Sequence, residues 1–134
     1  PVMQLRMDYG RSMADHFSLG RQLRSLRDHG VLLVGSGNVV HNLRALRFGV
    51  PSSQTYDWAA EFDNMVAGHV QSGNLAALRD FQKMGQVAQM AHPSYDHYLP
   101  LLYSAAAVHD GEVPRTFNAN FQAASISMRS FIWG

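Results

Sequence analysis

Two short stretches concentrate the residue types that can move protons or hold a metal. GSGNVVHNL (residues 35–43) presents His41 after a Gly-Ser-Gly-Asn turn, with Asn38 and Asn42 close by. HPSYDHYLPLLY (residues 92–103) carries His92, Asp96 and His97 just ahead of Pro100. A neutral imidazole can serve as a general base or as a metal ligand, because its ordinary pKa lies near neutrality. The chain has seven histidines and no cysteine, so imidazole is its distinctive reactive group, and thiolate metal sites and disulfides are excluded.

Neither stretch matches a familiar motif by spacing. Gly-Ser-Gly-Asn lacks the Gly-Lys-Ser/Thr ending of a phosphate-binding loop and is not G-x-G-x-x-G, and Ser36 lacks the G-x-S-x-G elbow. His92 and His97 are five residues apart, which is not the H-E-x-x-H zinc spacing. Gly35 and Gly37 allow backbone to approach a ligand closely, and the exposed amides of such a turn can hold an oxyanion. Asn38 and Asn42 can fix a substrate oxygen or orient the imidazole. His16, one turn before Gly20, can cap the core or reach a site from the side. For each histidine the plain alternative is a structural or surface role. His29, in a last helical turn, needs no other explanation.

The elements that must position these residues follow from periodicity. Val2 to Met7 alternates as a half-buried strand. Ser12 and Asp15 form a capping-box pattern for a helix with Leu19, Leu23 and Leu26 as its stripe, and Gly30 ends it. Val31 to Val34 reads as a fully buried strand, so strand, helix and strand make a βαβ unit with parallel strands. His41 then lies beyond a strand's carboxyl end, where open α/β sheets bind ligands. A helix is predicted from about Tyr56 to Gln71, with Trp58, Phe62, Met65, Val66 and Val70 on one face. Asn74 starts another through Met84, while residues 85–91 are ambiguous. Residues 98–108 read as a buried helix whose regular part begins near Pro100, because proline disfavours helix just before it. His97 falls in the segment that feeds this helix. The runs 116–121 and 125–133 alternate and suit an antiparallel pair. One α/β domain spanning residues 1–134 fits, with a mixed sheet flanked by helices.

Hydrophobic residues at 46% and charged ones at 16% mark a globular chain rather than a disordered one. With a net charge of +1 and no basic block, nothing points to nucleic acid or an anionic membrane. No run approaches the roughly 18 apolar residues of a membrane span, and the N-terminus lacks a signal-peptide layout. A cytoplasmic protein is the expectation.

Taken together, residues 16–44 (HFSLGRQLRSLRDHGVLLVGSGNVVHNLR), 92–103 and 125–134 (SISMRSFIWG) resemble the C-terminal half of class III extradiol ring-cleavage dioxygenases. The similarity is strongest at S-G-N-x-x-H-N-L and H-x-x-P-L, and points to the 4,5-DOPA extradiol dioxygenase-like branch. The resemblance implies an α/β fold with one non-haem divalent metal, Fe(II) or Zn(II), at the sheet edge, and a catechol-type substrate cleaved with dioxygen. It makes His41 the base for the catechol hydroxyl, within metal range, and His97 a metal ligand. It matches His16 to a recurrent histidine of the first helix without fixing its role; His16 and Asn38 are the substrate-side candidates. The family's N-terminal half supplies two more ligand histidines, so a missing half or a second chain is expected to complete the site. Otherwise a third ligand would have to come from His92, Asp96 or His16. The other reading is a non-catalytic homologue serving oligomerisation or partner binding.

Overall fold

The computed structural model describes residues 1–134. Helix α1 (Met13–Arg27) starts at a reciprocal capping box: Ser12 Oγ accepts the Asp15 N–H at 3.1 Å, and the Asp15 carboxylate accepts the Ser12 N–H at 3.2 Å. Its buried residues are His16, Phe17 and Gly20, whereas Leu19 and Leu23 are half-buried and Leu26 is exposed. The expected leucine stripe is therefore not the packed face. Helix α4 (Leu99–Ala106) sets the difference. It comes so close at Gly20 that a Cβ there would stand 2.8 Å from the Ala106 Cβ and 2.9 Å from the Tyr103 Cα. Such an approach selects the side of the helix that carries the smallest residue.

Helix α2 (Asp57–Gln71) buries Ala59, Phe62, Asp63, Val66 and Val70. It packs on a 3-10 segment (Leu75–Met84) and on helix α3 (Gln86–Ala91). The helix expected after Asn74 is this tighter segment, interrupted at Asp80 (φ −98°, ψ 23°), and Asn74 gives it no side-chain cap. The core between these helices includes Phe62, Leu78, Phe81, Tyr98, Leu99 and Leu102, and each large apolar side chain buried there contributes about 1.5–3 kcal/mol. Tyr98 keeps its hydroxyl satisfied inside by donating to the Leu78 carbonyl at 2.9 Å.

The two C-terminal runs pair antiparallel as expected, but as two short ladders. β1 (Arg115–Phe117) joins β4 (Ser130–Ile132), with Thr116 opposite Phe131. β2 (Phe121–Gln122) joins β3 (Ile126–Ser127). Ala123 and Ala124 turn the chain between them at φ 48° and 63°, and their carbonyls accept the Arg47 and Tyr56 amides.

The N-terminal βαβ unit is corrected. Val2–Met7 and Val31–Val34 are not ladder strands, and no backbone hydrogen bond joins residues 32–37 to the rest of the chain. Leu32 is 79% and Val34 77% exposed, the reverse of the burial expected for them. A strand exists only through its partner's N–H and C=O groups, and this chain offers none there. The class remains mixed α/β, with helices around small sheets. No helix is long and apolar enough to cross a membrane.

Candidate active site

The segment carrying His41 is fastened along both edges. On one side the Asn38 N–H donates to the His97 carbonyl (3.0 Å), the His41 N–H to Ala91 (2.9 Å) and the Asn42 side-chain amide to Met90 (2.6 Å). On the other, the Asn38 Nδ2 donates to the Ser127 carbonyl (2.9 Å), the Ser127 N–H to Val40 (3.0 Å) and Ser125 Oγ to Asn42 (2.8 Å). His41 itself pairs with Ile126 in an antiparallel bridge. The residues on either side of His41, Val40 and Asn42, are buried, so its backbone is held while its ring stays half-buried.

These contacts bring His41 and His97 together. Their rings stack with centroids 3.6 Å apart and planes 12° from parallel. Gly35 and Gly37 make this possible by a route that the sequence reading did not identify. A Cβ on Gly35 would stand 2.5 Å from the Pro100 carbonyl oxygen, and one on Gly37 would overlap the carbonyl of His97. The expected close approach to a ligand is thus an approach to the first turn of α4 and to His97, two residues ahead of it. The glycines seat the His41 segment against the His97 segment.

Burial holds the His41 pKa below the usual imidazole range; the neighbouring His97 lowers it further and Asp96 opposes the shift. His41 is therefore neutral at pH 7 and has a lone pair to offer. Asp96 lies 3.6 Å from His97 Nε2, and its carboxyl is held low chiefly by the Ser94 hydroxyl at 2.6 Å. His92 plays a different part. It is buried, and its Nε2–H donates to the Val39 carbonyl at 2.7 Å, leaving Nδ1 as an unpartnered acceptor. Burial pushes its pKa down to about 4, so it braces the segment as a neutral ring.

His16 is placed elsewhere. It is buried where α1 meets α4, with Nδ1 2.8 Å from the Tyr103 hydroxyl and Nε2 unpartnered, and its contacts do not include His41 or His97. Asn38 remains beside the pair. Its amide nitrogen is committed to Ser127, which leaves its oxygen free to meet a ligand. A cleft of about 760 Å³ opens here, lined by Gly37, Asn38, His97, Arg129, Phe131 and Trp133 among others. A second cleft, of about 520 Å³, lies by Arg6, Asp8, Arg11 and Tyr103 and is lined by none of the histidines. The sequence reading missed Asp63, a buried carboxylate on the apolar face of α2 that binds Ser127 and Arg129. Its place among Phe62, Val66 and Val70 was the available signal.

An imidazole nitrogen suits a divalent metal, so the partly exposed His97 would supply one ligand; the His41 and His97 rings are nearly parallel, and their in-plane lone pairs do not converge on one point. No group of three His, Asp or Glu side chains converges, and His92 and His16 have ring nitrogens committed to Val39 and Tyr103.

Comparison with known proteins gives the class to which this fold belongs. The family model described as the catalytic LigB subunit of aromatic ring-opening dioxygenase matches residues 1–129, and the chain belongs to that family. It is similar to a 4,5-DOPA dioxygenase extradiol of Escherichia coli K12, 39% identical over 97% of this chain and 48% of the other. A protein of the same description from Portulaca grandiflora is 36% identical over 75% of this chain and 37% of its own length. The crystal structure of an uncharacterized Escherichia coli K12 protein superposes with a TM-score of 0.84 at 34% identity, covering 93% of this chain and 52% of that one. The chain spans about half the length of these relatives, or less.

Proposed function

We propose that the chain carries the substrate-activating half of an extradiol dioxygenase that opens catechol-type aromatic rings. The observation that carries this reading is the stacked His41–His97 pair, in which His97 lines the cleft and His41 lies directly behind its ring, held neutral by burial. His97 would hold the metal, Fe(II) or Zn(II), with His41 in range. Such a metal supplies chelation of both catechol oxygens and, as iron, redox chemistry with dioxygen. His41 takes the proton from the catechol hydroxyl oxygen onto its unprotonated ring nitrogen, and the Asn38 amide oxygen orients the substrate. His16, buried against Tyr103 away from the pair, is left out of this reading. A substrate like DOPA suits the reading, since relatives carry that name. The absence of cysteine fits a reducing cytoplasm.

The full-length protein, loaded anaerobically with Fe(II) and given DOPA and air, is expected to produce a yellow ring-opened compound. No product with any catechol, at full metal occupancy, would sink the proposal. A second reading is favoured by the ladder-free, exposed Val31–Val34 segment: a non-catalytic homologue that completes its sheet with another chain or a second copy. It expects no stoichiometric metal by elemental analysis, and association in sedimentation.

A further inference from the structure

We propose that Asp63 and Ser127 are positioning residues for His41, an inference that rests on reading His41 as the reacting base. Asp63 is 2% exposed on the apolar face of α2, where an unpaired carboxylate would be strongly unfavourable. It is fully engaged. Oδ1 accepts the Ser127 hydroxyl at 2.6 Å, and Oδ2 accepts Arg129 Nε and a terminal guanidinium nitrogen at 2.8 and 2.7 Å. The Arg129 N–H donates to Ser127 Oγ at 3.2 Å, closing a three-residue knot.

Ser127 passes this constraint on. Its N–H donates to the Val40 carbonyl, and its own carbonyl accepts the Asn38 side chain. Those two residues bracket Val39 and lead directly into His41, which bridges Ile126 beside Ser127. Asp63 therefore reaches His41 through one side chain and one backbone hydrogen bond, without touching either histidine. A purely cohesive role would be served as well by apolar side chains of similar volume. What the ionic knot adds is direction: charge-assisted bonds fix where the Ser127 backbone lies, and so the register of the His41 segment against it.

The test uses Ser127→Ala and Asp63→Asn. Stacked rings shift each other's proton resonances, so the His41 and His97 ring C–H signals, assigned with His41→Gln, report the stack directly. The folded variants are expected to lose most of that shift, and the His41 amide to exchange roughly tenfold faster while core amides hold. In the metal-loaded full-length protein, kcat is expected to fall about 10²-fold with KM nearly unchanged. Wild-type ring shifts and His41 exchange in folded Ser127→Ala would overturn the proposal. Should Asp63→Asn fail to fold, Ser127→Ala decides alone, since it removes one hydroxyl and leaves the Asp63–Arg129 pair. Lost ring shifts in a protein whose wild type cleaves no catechol would uphold the positioning and sink the dioxygenase reading.

Discussion

His41 and His97 lie face to face at 3.6 Å, although 56 positions of sequence separate them. Burial holds the His41 pKa low, and the adjoining His97 adds to that shift. On the proposed dioxygenase reading, His41 is the base and His97 the metal ligand. Replacing His41 by Ala is expected to lower catechol turnover by about 10²–10⁴-fold. His97→Ala is expected to lower metal occupancy instead. Elemental analysis alongside turnover separates the two roles; equal metal loss in both variants would make them joint ligands.

His92 gives stability a pH dependence. The unfolded chain protonates this ring near 6.5, while the folded chain resists until about pH 4. Between those values the unfolded state binds more protons, so stability is complete above 6.5 and declines as pH falls toward 4. A depression of that size corresponds to about 3 kcal/mol. His41, also held low, acts in the same direction. Urea midpoints at pH 7.5 and 4.5 should differ accordingly, and His92→Gln should remove most of the difference. A midpoint in the wild type that is flat across this range would contradict the buried, neutral assignment.

Gly37 has no room for a side chain, because a Cβ would collide with the His97 carbonyl. Gly37→Ala must therefore push the His41 segment off α4 or distort the residues feeding that helix. Overpacking of this kind costs about 1–3 kcal/mol. The expected result is a lower Tm together with loss of the ring-stacking signature of His41 and His97. Gly30→Ala makes a useful contrast. Nothing lies within 4 Å of its added Cβ, so only the strain of φ 77° is felt, and the stack should persist.

What could be read from the sequence was what local chemistry controls. The Ser12–Asp15 box, the apolar face of α2, the proline that opens α4 and the antiparallel C-terminal runs all appear in the structure. Contacts between distant residues could not be read. Asp63 meets Arg129 across 66 positions and His16 meets Tyr103 across 87, and neither pairing leaves a periodic trace. Gly35 and Gly37 were legible as sites of close approach, but not what they approach. The Val31–Val34 run failed for another reason. Its short apolar run reads as a buried strand, but periodicity cannot supply the pairing partner that a strand requires.

A clamp ties the end of α1 to the chain beyond α4. Arg27 reaches both carboxylate oxygens of Glu112, at 2.7 and 2.5 Å, and also donates to the Ala107 carbonyl at 2.8 Å. The His109 N–H donates to the same carboxylate at 2.7 Å. Both side chains are only 19% exposed, so water screens the pair weakly. The Arg27 hydrogen bonds hold the Glu112 carboxyl below its ordinary range, against the opposing effect of burial. Its contribution is therefore complete above the ordinary carboxylate pKa and is lost as pH falls below it, a window more acidic than that of His92. Glu112→Gln leaves the Arg27 charge half-buried without a counter-ion, at an expected cost of about 1–3 kcal/mol at pH 7. Denaturation at pH 7 and pH 3 checks this: the gap between the variant and the wild type should be smaller at the lower pH. An equal gap at both would assign the loss to packing rather than charge.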